Sequence, residues 1–307
     1  MTRYVFAAFA CFAWMLGATP ASAELRIVTT TTDLGYFAQT IGGDKVHVDS
    51  ICQGKQDPHF VQARPSYMVT LSRADLLLAV GLELEVGWLP SLIQGARNPA
   101  INPGKTGYFE ASSAITPIDV PQGGVDRSRG DIHPFGNPHF WLDPLNAKLA
   151  AHAIAERMAQ LDTDNAQLFR ANEKAFEKRI DAKMQTWSAQ MAPYKNTKVA
   201  SYHATFNYFH RRFGLNSIGY LEDRPGIPPS PAHLVDLIHQ MRDQHVPVVF
   251  HESFYDRSTS DMVGARAGAK VLVLPTSVGG AAGVSTYEQL IDYVIGHFVS
   301  AMKQVHS

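Results

Sequence analysis

The sequence predicts an α/β protein of two lobes, each with a central, mostly parallel sheet, and one long α-helix between them. Short strand-like runs alternate with helix-like segments along most of the 307 residues, and such alternation is typical of parallel sheets. A charged stretch over Thr163–Met191, nearly free of glycine and proline, interrupts this alternation once. We therefore expect an N-terminal lobe over residues 24–162, a linker helix over 163–191 and a C-terminal lobe over 192–307.

Residues 1–23 have the features of a secretory signal peptide. Arg3 precedes the apolar run Tyr4–Leu16, and small residues end the segment at Ala21-Ser22-Ala23. The apolar run is shorter than the ~20 residues that a membrane-spanning helix needs. We expect cleavage after Ala23 and export of the mature chain.

The N-terminal lobe alternates β-branched or leucine-rich runs with helical segments. Asp143 before Pro144 predicts an N-cap followed by proline in the first helical turn. The predicted elements are strands at Leu25–Thr29, Val46–Ile51 and Ala74–Val80, helices at Asp33–Ile41, Ser66–Ser72 and Pro144–Leu161, and a Gly- and Pro-rich loop at Pro121–Pro138.

The stretch over Thr163–Met191 predicts one amphipathic helix of about 28 residues, roughly 40 Å long. Its large apolar residues are spaced by three, four or seven positions, which places them on one helix face. They are Phe169, Phe176, Ile180, Met184 and Trp187.

The alternation resumes after Pro193 and gives the C-terminal lobe. The predicted strands are Lys198–Ser201, Ser217–Tyr220, Val246–His251 and Lys270–Leu274, and the predicted helices are Phe206–Phe213, Pro231–Gln244, Ser258–Ala267 and Tyr287–Lys303. We find no sequence repeat between the lobes, so any symmetry between them must be structural.

Composition excludes several classes of protein. The chain has 27 Lys+Arg against 28 Asp+Glu and a pI near 6.9, so nucleic acid is not an expected partner. Two cysteines cannot make a disulfide-rich scaffold or a multi-thiolate metal site. The unusual feature is a total of 13 histidines.

Four candidate metal ligands lie where predicted strands end or a helix is about to begin. They are His59, His139, His203 and Glu252. Ligands of α/β proteins bind beyond the carboxyl ends of strands, and three imidazoles with a carboxylate or water form the tetrahedral shell that zinc prefers. His152, His233, His239 and His297 lie within predicted helices and are interpreted as structural.

From about Leu25 to Phe298 the chain resembles the substrate-binding proteins of zinc and manganese ABC importers. The most specific match is the run Asn137-Pro138-His139-Phe140-Trp141-Leu142-Asp143-Pro144. The other matching positions are Thr31-Thr32-Asp33, Asp57-Pro58-His59, Ala74-Asp75, Gly81-Leu82-Glu83, Trp88-Leu89, Tyr202-His203 with Phe206, and Glu252. The resemblance implies two lobes bridged by a rigid long helix, with the metal held in the cleft between them.

The resemblance places the first three ligands at His59, His139 and His203 and leaves the fourth open. Many members carry an aspartate in the loop after the last strand, but Leu274–Gly280 contains no carboxylate. Glu252 is the first candidate, water the second, and His251 the third because its side chain should point to the opposite face of the strand. His133, in the Pro121–Pro138 loop, is an ordinary loop residue, an accessory metal contact or the residue that completes the shell.

The expected function is capture of zinc in the periplasm and its delivery to an ABC permease in the inner membrane. Three imidazoles favour Zn²⁺ over Mn²⁺, because manganese members tend to replace the third histidine with a carboxylate. A manganese carrier is the alternative, followed by a zinc-dependent hydrolase and a surface adhesin. The chain is expected to be a monomer and not an enzyme, with a periplasmic metallochaperone as a further candidate partner.

Overall fold

The computed structural model describes residues 24–123, 130 and 132–305. The predicted signal peptide lies outside the described residues, as do residues 124–129 and 131 of the predicted Pro121–Pro138 loop. No helix in the described part of the chain is both long and apolar enough to span a bilayer.

The N-terminal lobe is built on a four-stranded sheet in which every pairing is parallel. In chain order its elements are β1 (Leu25–Thr29), α1 (Thr32–Gly42), β2 (Val46–Ser50), α2 (Pro65–Ser72), β3 (Leu76–Ala79), α3 (Leu89–Ala96), β4 (Tyr108–Glu110) and α4 (Pro144–Leu161). The strand order is β2-β1-β3-β4. Asp143 caps α4 as expected, with its side chain accepting from the backbone N–H of Leu145 at 2.9 Å.

The C-terminal lobe repeats this arrangement after the linker helix α5 (Ala166–Met191). Its elements are β5 (Lys198–Ser201), α6 (Asn207–Phe213), β6 (Asn216–Tyr220), α7 (Pro231–Asp243), β7 (Val248–Glu252), α8 (Ser258–Ala267), β8 (Lys270–Leu274) and α9 (Tyr287–Val305). The sheet is again four-stranded and parallel, in the order β6-β5-β7-β8. Counted within each lobe, the two strand orders are identical, so the lobes share a topology that the sequence does not reveal.

Helix α5 packs against both lobes through one apolar face. Phe176, in the middle of α5, lies with its ring 5.6 Å from that of Phe37 in the N-terminal lobe and 6.3 Å from that of Tyr287 in the C-terminal lobe. Near the end of α5, the indole N–H of Trp187 donates to Asp292 of α9 at 2.8 Å. One continuous apolar core therefore runs through both lobes along α5. The prediction of two α/β lobes and a long helix is confirmed.

Two elements were not predicted, and several predicted boundaries differ from the observed ones by one to three residues. The strand β4 is only three residues long, and α3 has no side-chain N-cap, so neither carries a clear sequence signal. Strand β7 begins after Pro247, because proline has no N–H for the sheet. Helix α5 begins at Ala166, since Asp162 accepts the backbone N–H of Asn165 and holds the preceding turn.

Candidate metal site

Three histidines from different parts of the chain converge in the cleft between the lobes. One ligand nitrogen from each of His59, His139 and His203 can be chosen so that all three lie within 4.8 Å of one another. Their ring centroids are 5.2 to 5.4 Å apart. All three are buried, with exposed fractions of 9%, 2% and 4%. The structure therefore brings together the three imidazoles predicted from the sequence.

Each imidazole lies on a short segment that leaves a strand or enters a helix. His59 follows β2, and the indole N–H of Trp88 fixes this loop by donating to the carbonyl of Pro58 at 2.9 Å. His139 immediately precedes the 3-10 turn Phe140–Leu142, which leads into α4. His203 follows β5 and caps the 3-10 turn Ala204–Phe206. The parallel sheets thus direct these segments toward one cleft.

The Nδ1 atom of each imidazole is held by a side-chain oxygen. The pairs are His59 with Asp57 Oδ1 at 2.7 Å, His139 with Asn137 Oδ1 at 2.9 Å, and His203 with Glu222 Oε2 at 3.0 Å. These oxygens accept, so Nδ1 carries the proton in a neutral ring and Nε2 keeps its lone pair. The Nε2 of His203 is buried without a hydrogen-bond partner among the described residues. Three oriented lone pairs in a buried cleft make a site for a cation.

The electrostatics of the cluster also favour a cation. Burial lowers the pKa of His139 well below its ordinary value, and the neighbouring imidazoles lower it further. His139 therefore stays neutral and able to coordinate a metal. Burial alone would raise the pKa of Asp57, but its hydrogen bonds to His59 and Tyr255 keep it below the usual value. A negative carboxylate thus lies directly behind the His59 imidazole.

His133 lies beside the cluster. Its Nε2 is 3.2 Å from the Nε2 of His59, and its ring centroid is 5.3 Å from that of His59 and 6.4 Å from that of His139. A cavity of about 500 Å³ borders both His59 and His133 and leads outward past Phe60. A larger cavity of about 820 Å³, between α3 and the segment before β4, has none of these imidazoles in its wall. His133 therefore lies between the imidazole cluster and the cavity.

Glu252, the last residue of β7, is fully buried but is not part of the group of three ligand atoms. No described residue makes a well-formed hydrogen bond to either of its carboxyl oxygens, although the Thr205 side chain is nearby. Burial raises the pKa of Glu252 to about 8. The carboxyl is therefore protonated near neutral pH in the metal-free protein, and its role as a ligand remains a prediction.

Replacing Glu252 by glutamine should stabilise the metal-free protein at pH 8 and have little effect at pH 4.5. The unfolded chain loses this proton near 4.5 and the folded chain near 8, so folding stability falls as the pH rises between the two values. At ~1.4 kcal/mol per pH unit, the difference reaches roughly 4–5 kcal/mol. Urea unfolding of both proteins across this range measures it. If the unfolding free energies of the two proteins changed with pH in parallel, the raised pKa of Glu252 would be wrong.

Among the described residues, neither His251 nor the loop after β8 belongs to the group of three ligand atoms. The two ring nitrogens of His251 are paired with the carbonyl of Tyr255 and the hydroxyl of Ser260. In the loop, the backbone N–H of Val278 donates to Asp33 of the N-terminal lobe at 3.0 Å. The carbonyl of Val278 accepts a hydrogen bond from the hydroxyl of Thr32 at 2.6 Å. This loop therefore joins the two lobes through hydrogen bonds.

The side chains that support the imidazoles were not predicted. Asp57 and Asn137 each lie two residues before the histidine that they hold, and each also accepts that histidine's backbone N–H. That spacing is a usable local signal, because short Asp and Asn side chains commonly bond the backbone two residues on. Glu222 lies 19 residues after His203 on a neighbouring strand end, and no local pattern connects the two.

Known proteins with the same architecture bind metals. The family model for zinc-uptake complex component A, periplasmic (ZnuA), matches residues 27–301. The iron-binding protein YfeA of Yersinia pestis is 26% identical over 282 residues, which is 89% of this chain and 84% of that protein. The manganese ABC transporter substrate-binding lipoprotein PsaA of Streptococcus pneumoniae is 28% identical over 241 residues, which is 76% of this chain and 74% of that protein.

Solved structures agree with this relationship. A crystal structure of ZnuA has a TM-score of 0.77 and 26% identity, covering 91% of this chain and 99% of that one. A ZnuA deletion mutant with zinc bound has a TM-score of 0.75 and the same identity, covering 91% and 98%. Proteins of this kind bind metals for ABC importers, which comprise a permease and an ATPase, and they are not enzymes. The chain therefore belongs to the ZnuA family of metal-binding components of ABC importers.

Proposed function

We propose that this protein captures Zn²⁺ in the periplasm and delivers it to an ABC permease in the inner membrane. The observation that carries the proposal is the convergence of three buried imidazoles whose Nδ1 atoms are all anchored. Anchored rings lose little freedom on binding, so the site is preorganised for a cation. Titration of the metal-free protein with Zn²⁺ by calorimetry should give one site per chain.

The donor set favours zinc over manganese. Imidazole suits zinc, whereas carboxylate and carbonyl oxygens suit Mn²⁺. The three clustered donors are all imidazoles, and the loop Leu274–Gly280 contains no carboxylate. Among the relatives, PsaA is named for manganese and YfeA for iron, whereas a ZnuA structure contains zinc. The ligand chemistry of this chain supports the last of these three ions.

His133 is our candidate for the fourth ligand. Two nitrogens bound to one zinc at ~2.0–2.1 Å in a tetrahedron lie roughly 3.3–3.4 Å apart. The Nε2 atoms of His59 and His133 are 3.2 Å apart, which is close to that spacing. Glu252 and His133 both lie outside the group of three ligand atoms. Glu252 is held neutral by burial, whereas the imidazole of His133 lies beside that of His59. A shell of four imidazoles is closed, as expected for a carrier, and leaves no open position for hydrolytic chemistry.

Replacing His133 by alanine should speed zinc release and weaken zinc binding by about 10- to 100-fold, the range seen for residues that support a metal site. The other three ligands remain anchored, so binding should weaken without being abolished. Replacing Glu252 by glutamine should change the affinity by less than about threefold, since the carboxyl is already neutral. Stopped-flow transfer of zinc to a chromogenic chelator measures both variants. The opposite ranking would identify Glu252 as the fourth ligand.

Capture and release follow from how firmly each ligand is held. His59, His139 and His203 lie on anchored segments, and α5 fixes the two lobes through a shared core. His133 lies on a loop at the edge of the cavity, so it is the ligand that can leave first when the protein docks on the permease. Supply of zinc by a metallochaperone and a monomeric state remain predictions.

A further inference from the structure

Tyr255 connects the C-terminal lobe to the carboxylate that holds His59. Its hydroxyl donates to Asp57 Oδ2 at 3.0 Å. The other oxygen of the same carboxylate, Oδ1, accepts from the Nδ1 of His59 at 2.7 Å and from its backbone N–H at 3.0 Å. Asp57 follows β2 and Tyr255 follows β7, so this hydrogen bond crosses between the lobes. One carboxylate thus bonds a proposed ligand and the opposite lobe at the same time.

Tyr255 is itself held firmly within its own lobe. Its backbone N–H donates to the carbonyl of Glu252 at 3.1 Å, and its carbonyl bonds the ring of His251 at 3.2 Å. Its ring lies 4.8 Å from that of Tyr202, the residue directly before His203. The hydroxyl is therefore placed by the same strand ends that place His203. The position of the Tyr255 hydroxyl is therefore tied to the position of His203.

The hydroxyl acts as a donor. Burial raises the pKa of Tyr255, and the nearby acidic side chains, first among them the Asp57 carboxylate, raise it further. The phenol therefore keeps its proton and donates a hydrogen bond to the Asp57 carboxylate. A hydrogen bond to a charged acceptor is stronger than one between neutral groups.

A second bond of the same kind supports His139. The side-chain N–H of Asn137 donates to the carbonyl of Ala204 in the C-terminal lobe at 2.8 Å, while its Oδ1 holds the His139 ring. Ala204 directly follows His203. His59 and His139 are thus each held by a side chain that also bonds the C-terminal lobe. The partner in that lobe is Ala204, which directly follows His203, or Tyr255, whose ring contacts that of Tyr202.

We infer that Tyr255 is a positioning residue that couples the relative placement of the lobes to the orientation of the His59 imidazole. The inference rests on the proposed function, because it assigns His59 to the metal shell. The Asp57 carboxylate is satisfied at both oxygens only when the C-terminal lobe is in place, so the His59 lone pair is directed at the shared cleft in that arrangement. Any separation of the lobes breaks the Tyr255 bond and loosens His59, which favours release of the metal.

Replacing Tyr255 by phenylalanine removes only the hydroxyl and should speed zinc release about 10- to 20-fold, the lower part of the range known for residues behind metal ligands. Tyr293→Phe is the matched control, because that ring stacks on His297 of α9. Circular dichroism of the metal-free proteins should show that both variants are folded. The absorption bands of the Co²⁺-loaded protein should change in Tyr255→Phe alone, because they report ligand orientation.

A double-mutant cycle with Asp57→Asn tests the route of the coupling. Because Tyr255 acts through Asp57, the double variant should release zinc little faster than Asp57→Asn alone. Additive effects, or a Tyr255→Phe release rate within twofold of the control, would overturn the inference and leave zinc capture intact. If the wild-type protein takes up no zinc, the proposed function itself fails, and the inference fails with it.

Discussion

Replacing His139 by alanine should weaken zinc binding by on the order of 100-fold or more. Structural zinc sites with four protein ligands bind with ~10–16 kcal/mol, so one ligand corresponds to roughly 3 kcal/mol. His139 is almost fully buried, and its ring lies 5.2 Å from that of His59 and 5.4 Å from that of His203. Competition with a chelator of known zinc affinity measures the loss. Burial keeps the His139 ring neutral and ready to coordinate.

His239→Ala is the control for this experiment, since His239 is exposed on α7. It should bind zinc as the wild type does. Circular dichroism of the metal-free proteins shows whether each variant folds. A folded His139→Ala protein with wild-type zinc affinity would rule out the site described here, whatever its effect on stability.

Zinc should bind at least about 100-fold more tightly than manganese, because the clustered donors are all imidazoles. Replacing His203 by glutamate supplies an oxygen donor in the position where manganese carriers tend to have one. This change should narrow the ratio of the two affinities by about tenfold or more. Chelator competition measures the zinc affinity, and electron paramagnetic resonance of free Mn²⁺ measures the manganese affinity.

The control for the second experiment is Glu252→Gln, which should leave the ratio unchanged. If manganese bound as tightly as zinc to the wild-type protein, the shell would have to contain oxygen ligands. Glu252 would then be the first residue to reconsider, because it is the buried carboxyl at the end of β7. The role of the protein as a metal carrier would stand, and the proposed ion would change.

Much of the fold could be predicted from local patterns. Strands such as Leu25–Thr29 and Lys270–Leu274 were predicted to the residue, because composition and flanking turns define them. The long helix was predicted from the spacing of Phe169, Phe176 and Ile180, and all three are buried. The matching strand order of the two lobes could not be predicted, because pairing between distant strands leaves no mark in a single sequence.

The candidate site was likewise predictable only in part. The three clustered imidazoles were predicted because they lie at strand ends and helix starts, where α/β folds bind ligands. Glu222 and Tyr255 were missed, because each bonds a residue on another element and only the fold brings them together. Glu252 was correctly expected at the end of a strand, but whether a buried carboxyl reaches a metal depends on packing that a sequence pattern does not contain.

The metal content of the protein purified from the periplasm without a histidine tag tests the central claim most directly. Plasma mass spectrometry of the wild type beside His139→Ala is sufficient. About one zinc per chain in the wild type, and little in the variant, is the predicted result. Manganese or iron in place of zinc would contradict the proposed ion, and no metal in either protein, with none taken up on titration, would contradict the site itself.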